Sequence, residues 1–269
     1  MRLSVFAFVI FSLFFTACSQ NNVTEDSSFK KYFDEAGVTG SFGLFDNGQG
    51  HFTIYNLSRY RDSAYQPAAT FDILQSLIAI QTGVVKDDSA VLLRDSVATD
   101  KNCAGTLTLK QAFQSDCLNG SMTLADRVGR DTLKKWIDSL HYGNKDMSGA
   151  TDSFWFNNRL TITPDEELGL AKKLYFDQLP FFQHTQQIVR RMMLMENSTN
   201  YQLSYKTGRG IGKNGHAIGW VLGWVEENKH PYFFVLNIGS SDVGKDLNKA
   251  GMDILRGCLT QLGFFQGKK

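Results

Sequence analysis

The chain has 269 residues, of which 42% are hydrophobic and 20% are charged, a composition typical of a globular protein with a substantial core. Twenty-one phenylalanines and only four prolines argue against a disordered chain. The formal net charge of +1 gives no reason to expect nucleic acid or a strongly acidic partner.

The first seventeen residues have the pattern of a secretory signal. One arginine precedes an apolar run from Leu3 to Phe15, which is too short for a comfortable membrane span. The sequence "FTAC" resembles a bacterial lipobox, in which Cys18 is lipidated and becomes the new N-terminus; the alternative is an ordinary signal peptide with a chance cysteine. We therefore expect a polar tether over 18–28 and a folded domain over 29–269. The mature protein is expected to be exported and lipid-anchored in the cell envelope, on a periplasmic or outer-membrane face.

The remaining cysteines are Cys103, Cys117 and Cys258. An oxidising compartment permits a disulfide, and Cys103 with Cys117 is the nearest pair, although buried free cysteines are an equally open alternative. The five histidines are scattered and form no Cys/His pair at zinc spacing. The sequence therefore predicts neither a metal site nor a cofactor.

The N-terminal part begins with a predicted hairpin. Two runs with β-forming residues, at 40–46 and 51–56, are separated by the turn sequence "NGQG". The stretch "QPAATFDILQSLIAIQTG" at 66–83 then predicts a helix, because its apolar residues recur at helical spacing before a stop at Gly83.

Helical patterns dominate the centre of the chain. They cover 108–114, 124–140 with an interruption at Gly129, 164–176 and 181–195. The sequence "TPDEE" predicts a well-formed helix start, with Thr163 as the cap, Pro164 in the first position and three acids in the first turn.

The C-terminal third returns to strands, predicted at 201–208, 216–227 and 231–239, and ends in an amphipathic helix at about 245–262. Strands at both ends with helices between them predict an α+β fold of the three-layer α/β/α type. We expect a central antiparallel sheet flanked by helices, and a helical subdomain. The segment "GRGIGKNG" joins two strands rather than a strand to a helix, which argues against a dinucleotide-binding loop.

Three motifs in a fixed order carry a resemblance to a known family. "PAATFDI" lies at a predicted helix start, "HYGN" follows the central helices, and "KTG" lies at the predicted end of a strand. Together they resemble the class D β-lactamases and, more broadly, the penicillin-recognising serine acyl-transferases. Similar flanking segments extend the resemblance over residues 30–265, and it implies a β-lactamase/transpeptidase-like fold.

The sequence departs from that family at the positions that carry its chemistry. The resemblance places the family's nucleophilic serine on Ala69 and its general-base lysine on Asp72. A methyl group cannot form an acyl-enzyme, and aspartate copies the charge of a carbamylated lysine without its reach. A structural interpretation is also available, in which Thr70 caps the helix and Asp72 is an acid in its first turn.

Two further family elements are blurred. Ungapped counting from Tyr142 places the serine of the Ser-x-Val element on Asp116, whereas Ser115 needs a shift of one residue. The family's carboxylate-binding arginine has no clear counterpart. The residues near its position are Asn248, Lys249 and Gly251, and the nearby cations that could substitute are Lys249 and Arg256.

The "KTG" motif is the best-preserved part of the expected pocket. The resemblance implies that Lys206 and Thr207 contact a ligand carboxylate and that Gly208 lets the ligand approach the backbone. The alternative is a strand end followed by a turn glycine.

Three other residues are expected at the pocket wall. The resemblance places Tyr142, Asn144 and Trp155 there; the alternatives are a helix-terminating turn for the first two and plain core for Trp155. Trp220 and Trp224, four residues apart in a strand pattern, are predicted to face one side and pack in the core.

Three functions remain open from the sequence. The first is a non-hydrolysing pseudoenzyme that binds a peptidoglycan fragment, a β-lactam or an envelope protein. The second is an active hydrolase or transpeptidase in which Asp72 activates water, or Thr70 or Ser115 attacks. The third is a structural envelope lipoprotein whose pocket is a relic. Each predicts a membrane association through the lipid anchor, and none predicts nucleic acid.

Overall fold

The computed structural model describes residues 22–96 and 101–269. The strands in these residues are β1 Val23–Glu25, β2 Thr39–Asp46, β3 His51–Tyr55, β4 Val91–Ser96, β5 Gly105–Thr108, β6 Leu194–Asn197, β7 Gln202–Ile211, β8 Ala217–Glu227 and β9 His230–Ser240. The α-helices are α1 Lys30–Ala36, α2 Leu57–Asp62, α3 Phe71–Gln81, α4 Leu109–Gln114, α5 Leu118–Val128, α6 Arg130–Leu140, α7 Pro164–Tyr175, α8 Gln183–Met193 and α9 Leu247–Gln261. A 3₁₀ turn, Ala68–Thr70, leads directly into α3.

The main sheet has seven strands in the order β1-β3-β2-β9-β8-β7-β6. Its neighbouring strands are antiparallel, except that β1 runs parallel to β3. The predicted α+β fold with a helix-flanked central sheet is confirmed. The prediction that the sheet is antiparallel is wrong only for β1, which is parallel to β3. Strands β4 and β5 form a separate hairpin beside the helices.

Helices cover both faces of the sheet and create two apolar cores. Along β8, Val221 and Val225 face the core that includes α1 and α9. Trp220 and Trp224 face the opposite core, which contains α3 and the central helices, and both are buried there as predicted. Because successive side chains of a strand point to opposite faces of the sheet, β8 contributes residues to both cores.

Several boundaries differ from the sequence prediction. Strand β7 continues past Gly208 to Ile211, and α5 begins at Leu118 rather than at 124. The break at Gly129 is confirmed, because that residue has a φ of 81° between α5 and α6. The sequence patterns did not reveal the short elements β1, α1, α2, β4 and β5.

The predicted signal peptide and Cys18 lie outside the described residues. The predicted tether reaches into them at Asn22, and there β1 pairs with β3. Among the described residues no helix is both long and apolar enough to cross a bilayer.

Candidate functional site

The turn that precedes α3 has a strained backbone. Ala68 has a φ of 51°, in the left-handed region that residues with a Cβ rarely adopt. Its N–H donates to the carbonyl of Trp155 at 3.1 Å, which ties the turn to the segment after α6. Ala69 follows in the same turn, at the start of the buried helix. The fold therefore keeps a costly local geometry at Ala68, immediately before the position where the family has its nucleophile.

Strand β7 passes unusually close to this turn. A Cβ added to Gly208 would lie 3.0 Å from the amide nitrogen of Thr70 and 3.1 Å from that of Ala69. A Cβ on Gly210 would lie 2.4 Å from Nε2 of Gln66. Glycine in the "KTG" motif is therefore needed for the packing of strand against turn, whether or not a ligand also approaches there.

Lys206 lies at the centre of a buried polar group beneath the turn. Its Nζ donates to the carbonyl of Phe113 at 2.6 Å and to Oδ1 of Asp116. The same Nζ lies 3.2 Å from Oδ2 of Asp72, as an ion pair without hydrogen-bond alignment. The side chains of Lys206, Asp72 and Asp116 are only 1%, 6% and 11% exposed.

Three neutral side chains complete this arrangement. The hydroxyl of Thr207 donates to Oδ2 of Asp116 at 2.5 Å, and Nδ2 of Asn248 donates to the same oxygen at 3.1 Å. The hydroxyl of Ser121 donates to Oδ1 of Asp72 at 2.7 Å. The Lys206 cluster, as we call it, consists of Lys206, Asp72, Asp116, Thr207, Ser121 and Asn248.

Burial and charge act in opposite directions in the Lys206 cluster. Burial lowers the pKa of Lys206, but Asp116 and Asp72 more than offset this, so its pKa is raised and it carries a proton at neutral pH. Burial raises the pKa of Asp72, and the Lys206 ammonium and the Ser121 hydroxyl offset only part of that effect. Besides its place in the first turn of α3, Asp72 therefore forms an ion pair with Lys206 of strand β7.

A second buried acid lies on the other side of the same helix start. Oε1 of Glu167, on α7, lies 2.7 Å from the hydroxyl of Thr70 and accepts a hydrogen bond from Tyr142 at 3.0 Å. Thr70 also lies 2.7 Å from the carbonyl of Pro67, and it makes no side-chain bond to the helix N-terminus. The predicted capping role of Thr70 is therefore wrong, because its hydroxyl is used by α7. Thr70, Tyr142 and Glu167 form what we call the Glu167 cluster.

In the described part of the chain, no lysine or arginine forms an ion pair with the carboxyl group of Glu167. Burial raises its pKa to about 7, and the hydroxyls of Thr70 and Tyr142 offset part of the effect. Its Oε2 is buried without a hydrogen-bond partner in the described structure. This environment favours the neutral acid, since an ionised oxygen there would be unsolvated.

A pocket of about 290 Å³ opens above the turn. Its lining residues are Ala68, Ala69, Asp116, Leu118, Ser121, Trp155, Phe156, Arg209, Gly210 and Ile211. Ala69 lines the pocket, whereas Asp72 and Lys206 lie behind it within the Lys206 cluster. The predicted site residues Asp72, Lys206 and Thr207 are thus brought together beneath Ala69. Asp116, which contacts Lys206 and Thr207, lines the pocket together with Ala69.

The other expected wall residues are distributed differently. Trp155 lines the pocket and is also buried, stacked on Phe71 with ring centroids 5.3 Å apart, so both of its interpretations hold. Tyr142 faces Glu167 on the far side of the turn. Asn144 is exposed and organises a loop, donating to Arg159 O and accepting from Thr161 N. Tyr142 and Asn144 are therefore structural neighbours of the pocket rather than part of its lining.

Ser115 and its neighbour Asp116 have different surroundings. The hydroxyl of Ser115 donates towards the carbonyls of Asn102, at 3.0 Å, and Ala112, at 3.4 Å. Asp116, which ungapped counting aligned with the family serine, is the residue whose side chain enters the Lys206 cluster. The next residue, Cys117, forms a disulfide with Cys103, while Cys258 is free and buried.

The candidate substitutes for the family arginine lie outside the Lys206 cluster. Lys249 pairs with Asp253 on the surface of α9, and Arg256 pairs with Glu196. Asn248 is the residue of this region that reaches Asp116. Over the parts of the chain that the structure covers, no group of acids, histidines or cysteines has the arrangement of a metal site.

Glu167 is the main site residue that the sequence reasoning missed. It was interpreted as one of three acids at a helix start. Yet Glu167, Leu168, Ala171 and Leu174 share the buried face of α7, so the helical period places the acid among apolar residues. A charged residue on the apolar stripe of a helix was the available signal.

Comparisons with known proteins agree on a single family. The model of the penicillin-binding protein transpeptidase domain matches residues 22–256. Beta-lactamase OXA-20 from Pseudomonas aeruginosa is 31% identical over 86% of this chain and 86% of its own length. The probable beta-lactamase YbxI from Bacillus subtilis is 32% identical over 81% of this chain and 80% of its own.

Solved structures show the same likeness in three dimensions. The class D β-lactamase YbXI from Nostoc superposes with a TM-score of 0.82 at 30% identity, covering 88% of this chain and 99% of that one. The C-terminal domain of the Bacillus licheniformis BlaR penicillin-receptor superposes with a TM-score of 0.83 at 26% identity, covering 90% and 97%. Relatives of this fold thus include proteins named as hydrolases and one named as a receptor.

Proposed function

This chain belongs to the penicillin-binding protein transpeptidase family and is class D β-lactamase-like, and from that premise we propose that it is a pseudoenzyme. It binds a peptidoglycan fragment or a β-lactam reversibly in the pocket above Ala69, and it forms no acyl-enzyme there. The observation that carries the proposal is the methyl group of Ala69 on the pocket wall, where the family has its nucleophile.

The nearby hydroxyls support the absence of covalent chemistry. Thr70 is fully buried and its hydroxyl lies between Pro67 O and Glu167. The Ser115 hydroxyl is directed at the carbonyls of Asn102 and Ala112. Neither residue lines the pocket, so neither is placed to attack a carbonyl bound there.

The position of Asp72 argues against direct activation of water. A general base needs to reach the proton that it abstracts, directly or through one water. Asp72 is 4% exposed, accepts a hydrogen bond from Ser121 and faces Lys206. Its carboxylate therefore serves as a counter-ion in the Lys206 cluster.

The covalent part of the proposal is tested with a fluorescent penicillin and intact-mass measurement. We expect no covalent adduct on the mature wild-type protein. We also expect that Asp72→Asn will not lower the rate of nitrocefin hydrolysis, because Asp72 contributes nothing to it. The double variant Ala69→Ser/Asp72→Lys is the positive control for an intact pocket, and a gain of adduct is expected there. A stoichiometric adduct on the wild type, or hydrolysis that depends on Asp72, would establish the active-enzyme alternative instead.

Reversible binding is tested separately by calorimetry and thermal shift with β-lactams and muropeptides. A ligand that binds the folded state raises the melting temperature by an amount that grows with the logarithm of the ratio of its free concentration to its Kd. We expect such a shift, and we expect Ala69→Trp, which fills the pocket, to remove it. No binding by any of these compounds, together with capture of an envelope protein, would favour the structural lipoprotein.

We also propose that Cys18 carries the lipid that holds the protein in the cell envelope. The support is the apolar run before "FTAC" and the polar residues after it. Fractionation of cells that express the full chain should place the wild type with membranes and Cys18→Ala in the soluble envelope fraction. Membrane retention of Cys18→Ala would reject the anchor.

A further inference from the structure

Asp116 is held by more hydrogen-bond donors than a surface aspartate needs. Lys206 donates to its Oδ1, while Thr207 and Asn248 donate to its Oδ2, at 2.5 and 3.1 Å. These donors come from β7 and α9, which are distant from Asp116 in sequence. An ammonium, a hydroxyl and an amide that converge on two oxygens are the set that a bound organic carboxylate requires.

The backbone around Asp116 fixes its side chain in this position. Asp116 has a φ of 54°, between the end of α4 and the start of α5. Its neighbour Cys117 is tied to Cys103 by a disulfide, and the Cys117 sulfur accepts from Gly120 N at the start of α5. Asp116 is therefore part of a braced turn rather than of a mobile loop.

We propose that Asp116 is a built-in occupant of the pocket's carboxylate-binding donors, which makes the wild-type pocket selective for ligands that are uncharged at that end. This inference deepens the proposed function, and it rests on the pocket being the ligand site. A carboxylate ligand would have to displace Asp116 or accept a position beside its charge, and both are unfavourable in a partly buried site.

Much of the remaining pocket lining is aromatic or aliphatic. Trp155 and Phe156 provide an aromatic wall, and Leu118 and Ile211 present apolar side chains that are 43% and 47% exposed. Arg209 is an exposed cation on the lining. It offers a different position for an anion, so the experiment must separate the two.

Acetate is the probe for the donor set, because it carries the carboxylate and little else. Titration of the isotope-labelled protein, followed through the Thr207 amide and the Lys206 ammonium, gives its dissociation constant. We expect Asp116→Ala to bind acetate at least tenfold more tightly than the wild type. Asp116→Asn removes the negative charge but leaves a side chain of similar size among the donors. We therefore expect a smaller increase in acetate affinity for this variant.

Two control variants separate this effect from general electrostatics. Asp253→Ala removes one negative charge from an exposed position on α9, and it should leave acetate binding at the wild-type level. Arg209→Gln in the Asp116→Ala background should keep the gain. Equal acetate affinity in wild type and Asp116→Ala, no binding in either protein, or loss of the gain with Arg209→Gln would each overturn the proposal.

Benzylpenicillin and its methyl ester connect the result to the proposed function. We expect the ester to bind the wild type at least tenfold more tightly than the acid, and Asp116→Ala to reverse that preference. If neither compound binds the wild type while acetate still discriminates the variants, the assignment of β-lactams as ligands fails and the role of Asp116 stands. Preferential binding of the acid to the wild type contradicts that role directly.

Discussion

Two buried carboxyl groups lie on opposite sides of the start of α3, and they differ in the groups that contact them. Asp72 lies in the Lys206 cluster, beside a protonated lysine and a second carboxylate. Glu167 lies in the Glu167 cluster, where its Oε1 contacts the hydroxyls of Thr70 and Tyr142. Burial raises the pKa of both acids, but only the first has a cation to offset it.

The difference shows two ways in which this fold accommodates a buried acid beside the start of α3. On the pocket side, the family's lysine has become an acid, and Lys206 now supplies the charge balance for Asp72 and Asp116. On the rear side, burial raises the pKa of Glu167 to about 7, so that the neutral acid is the favoured form below that pH. One cluster therefore depends on an ion pair, and the other depends on a proton. Substitution of Lys206, which removes the cation, and substitution of Glu167, which removes the titrating proton, test the two clusters independently.

The largest effect is expected from removal of the lysine. Lys206→Met keeps the stem of the side chain but leaves Asp72 and Asp116 without their shared counter-ion in a buried site. Loss of one partner of a buried ion pair typically costs about 3–5 kcal/mol. We expect a decrease of that size in the free energy of unfolding, measured by urea denaturation at pH 7.

Lys249→Met is the matched control for this change. The Lys249 side chain is 73% exposed and pairs with Asp253 one helical turn away. Exposed pairs of this kind contribute little, so the loss should stay within about 0.5 kcal/mol. Similar costs for the two variants would mean that the Lys206 cluster is not stabilised by its buried charge.

The next effect is a change in the pH dependence of stability. The folded pKa of Glu167 is about 7 and its unfolded value is 4.5. A raised folded pKa contributes stability that is fully present below pH 4.5 and is lost as the pH rises through about 7. Glu167→Gln keeps the acceptor for Thr70 and Tyr142 but cannot ionise, so it should become the more stable protein as the pH rises.

The measurement is a series of urea denaturations of both proteins between pH 4.5 and 8. At about 1.36 kcal/mol per pKa unit, the stability difference should change by about 3 kcal/mol across this range in favour of Glu167→Gln. The exposed neighbour Glu166→Gln is the matched control for the chemical change. A flat difference for Glu167→Gln would show that the rear acid is not held neutral.

Most of the fold was predictable because its signals are local. The turn "NGQG" joins β2 and β3, Thr163 and Pro164 start α7, and a glycine separates α5 from α6. The sequence did not predict the start of α5, because glycine, here Gly120, is a poor helix former. Glycine at this position is explained by close packing in the folded protein. A Cβ there would lie 2.9 Å from that of Ala112.

The candidate site was predictable only in part. The replacements at Ala69 and Asp72 follow from motif positions, and ungapped counting directed attention to Asp116. The contacts of Asp72 and Asp116 could not be predicted from motif positions. Lys206 reaches Asp72 only because β7 packs against the start of α3. The extension of β7 beyond Gly208 has the same origin, since its glycines fit against the turn at 66–70.

A smaller effect is expected from one hydroxyl of the rear cluster. Thr70→Val replaces the hydroxyl by a methyl group of similar size and removes the contact with Glu167. A hydrogen bond of this kind contributes about 1 kcal/mol, and we expect that loss in urea denaturation at pH 6. Thr70→Ser keeps the hydroxyl and is the control. Nearly equal stability of Thr70→Val and Thr70→Ser would show that the hydroxyl does little to support the neutral acid.

The smallest effect is expected at Ser115, which adjoins the Lys206 cluster in sequence but not in its contacts. Its hydroxyl reaches the carbonyls of Asn102 and Ala112 at a partly exposed position, so Ser115→Ala should change the free energy of unfolding by no more than about 0.5 kcal/mol. The same variant should leave penicillin adduct formation and nitrocefin turnover unchanged from the wild type. A residue that supplied the missing nucleophile would instead abolish both when its oxygen is removed. Such a loss would assign covalent chemistry to Ser115 and would contradict the proposal that this fold forms no acyl-enzyme.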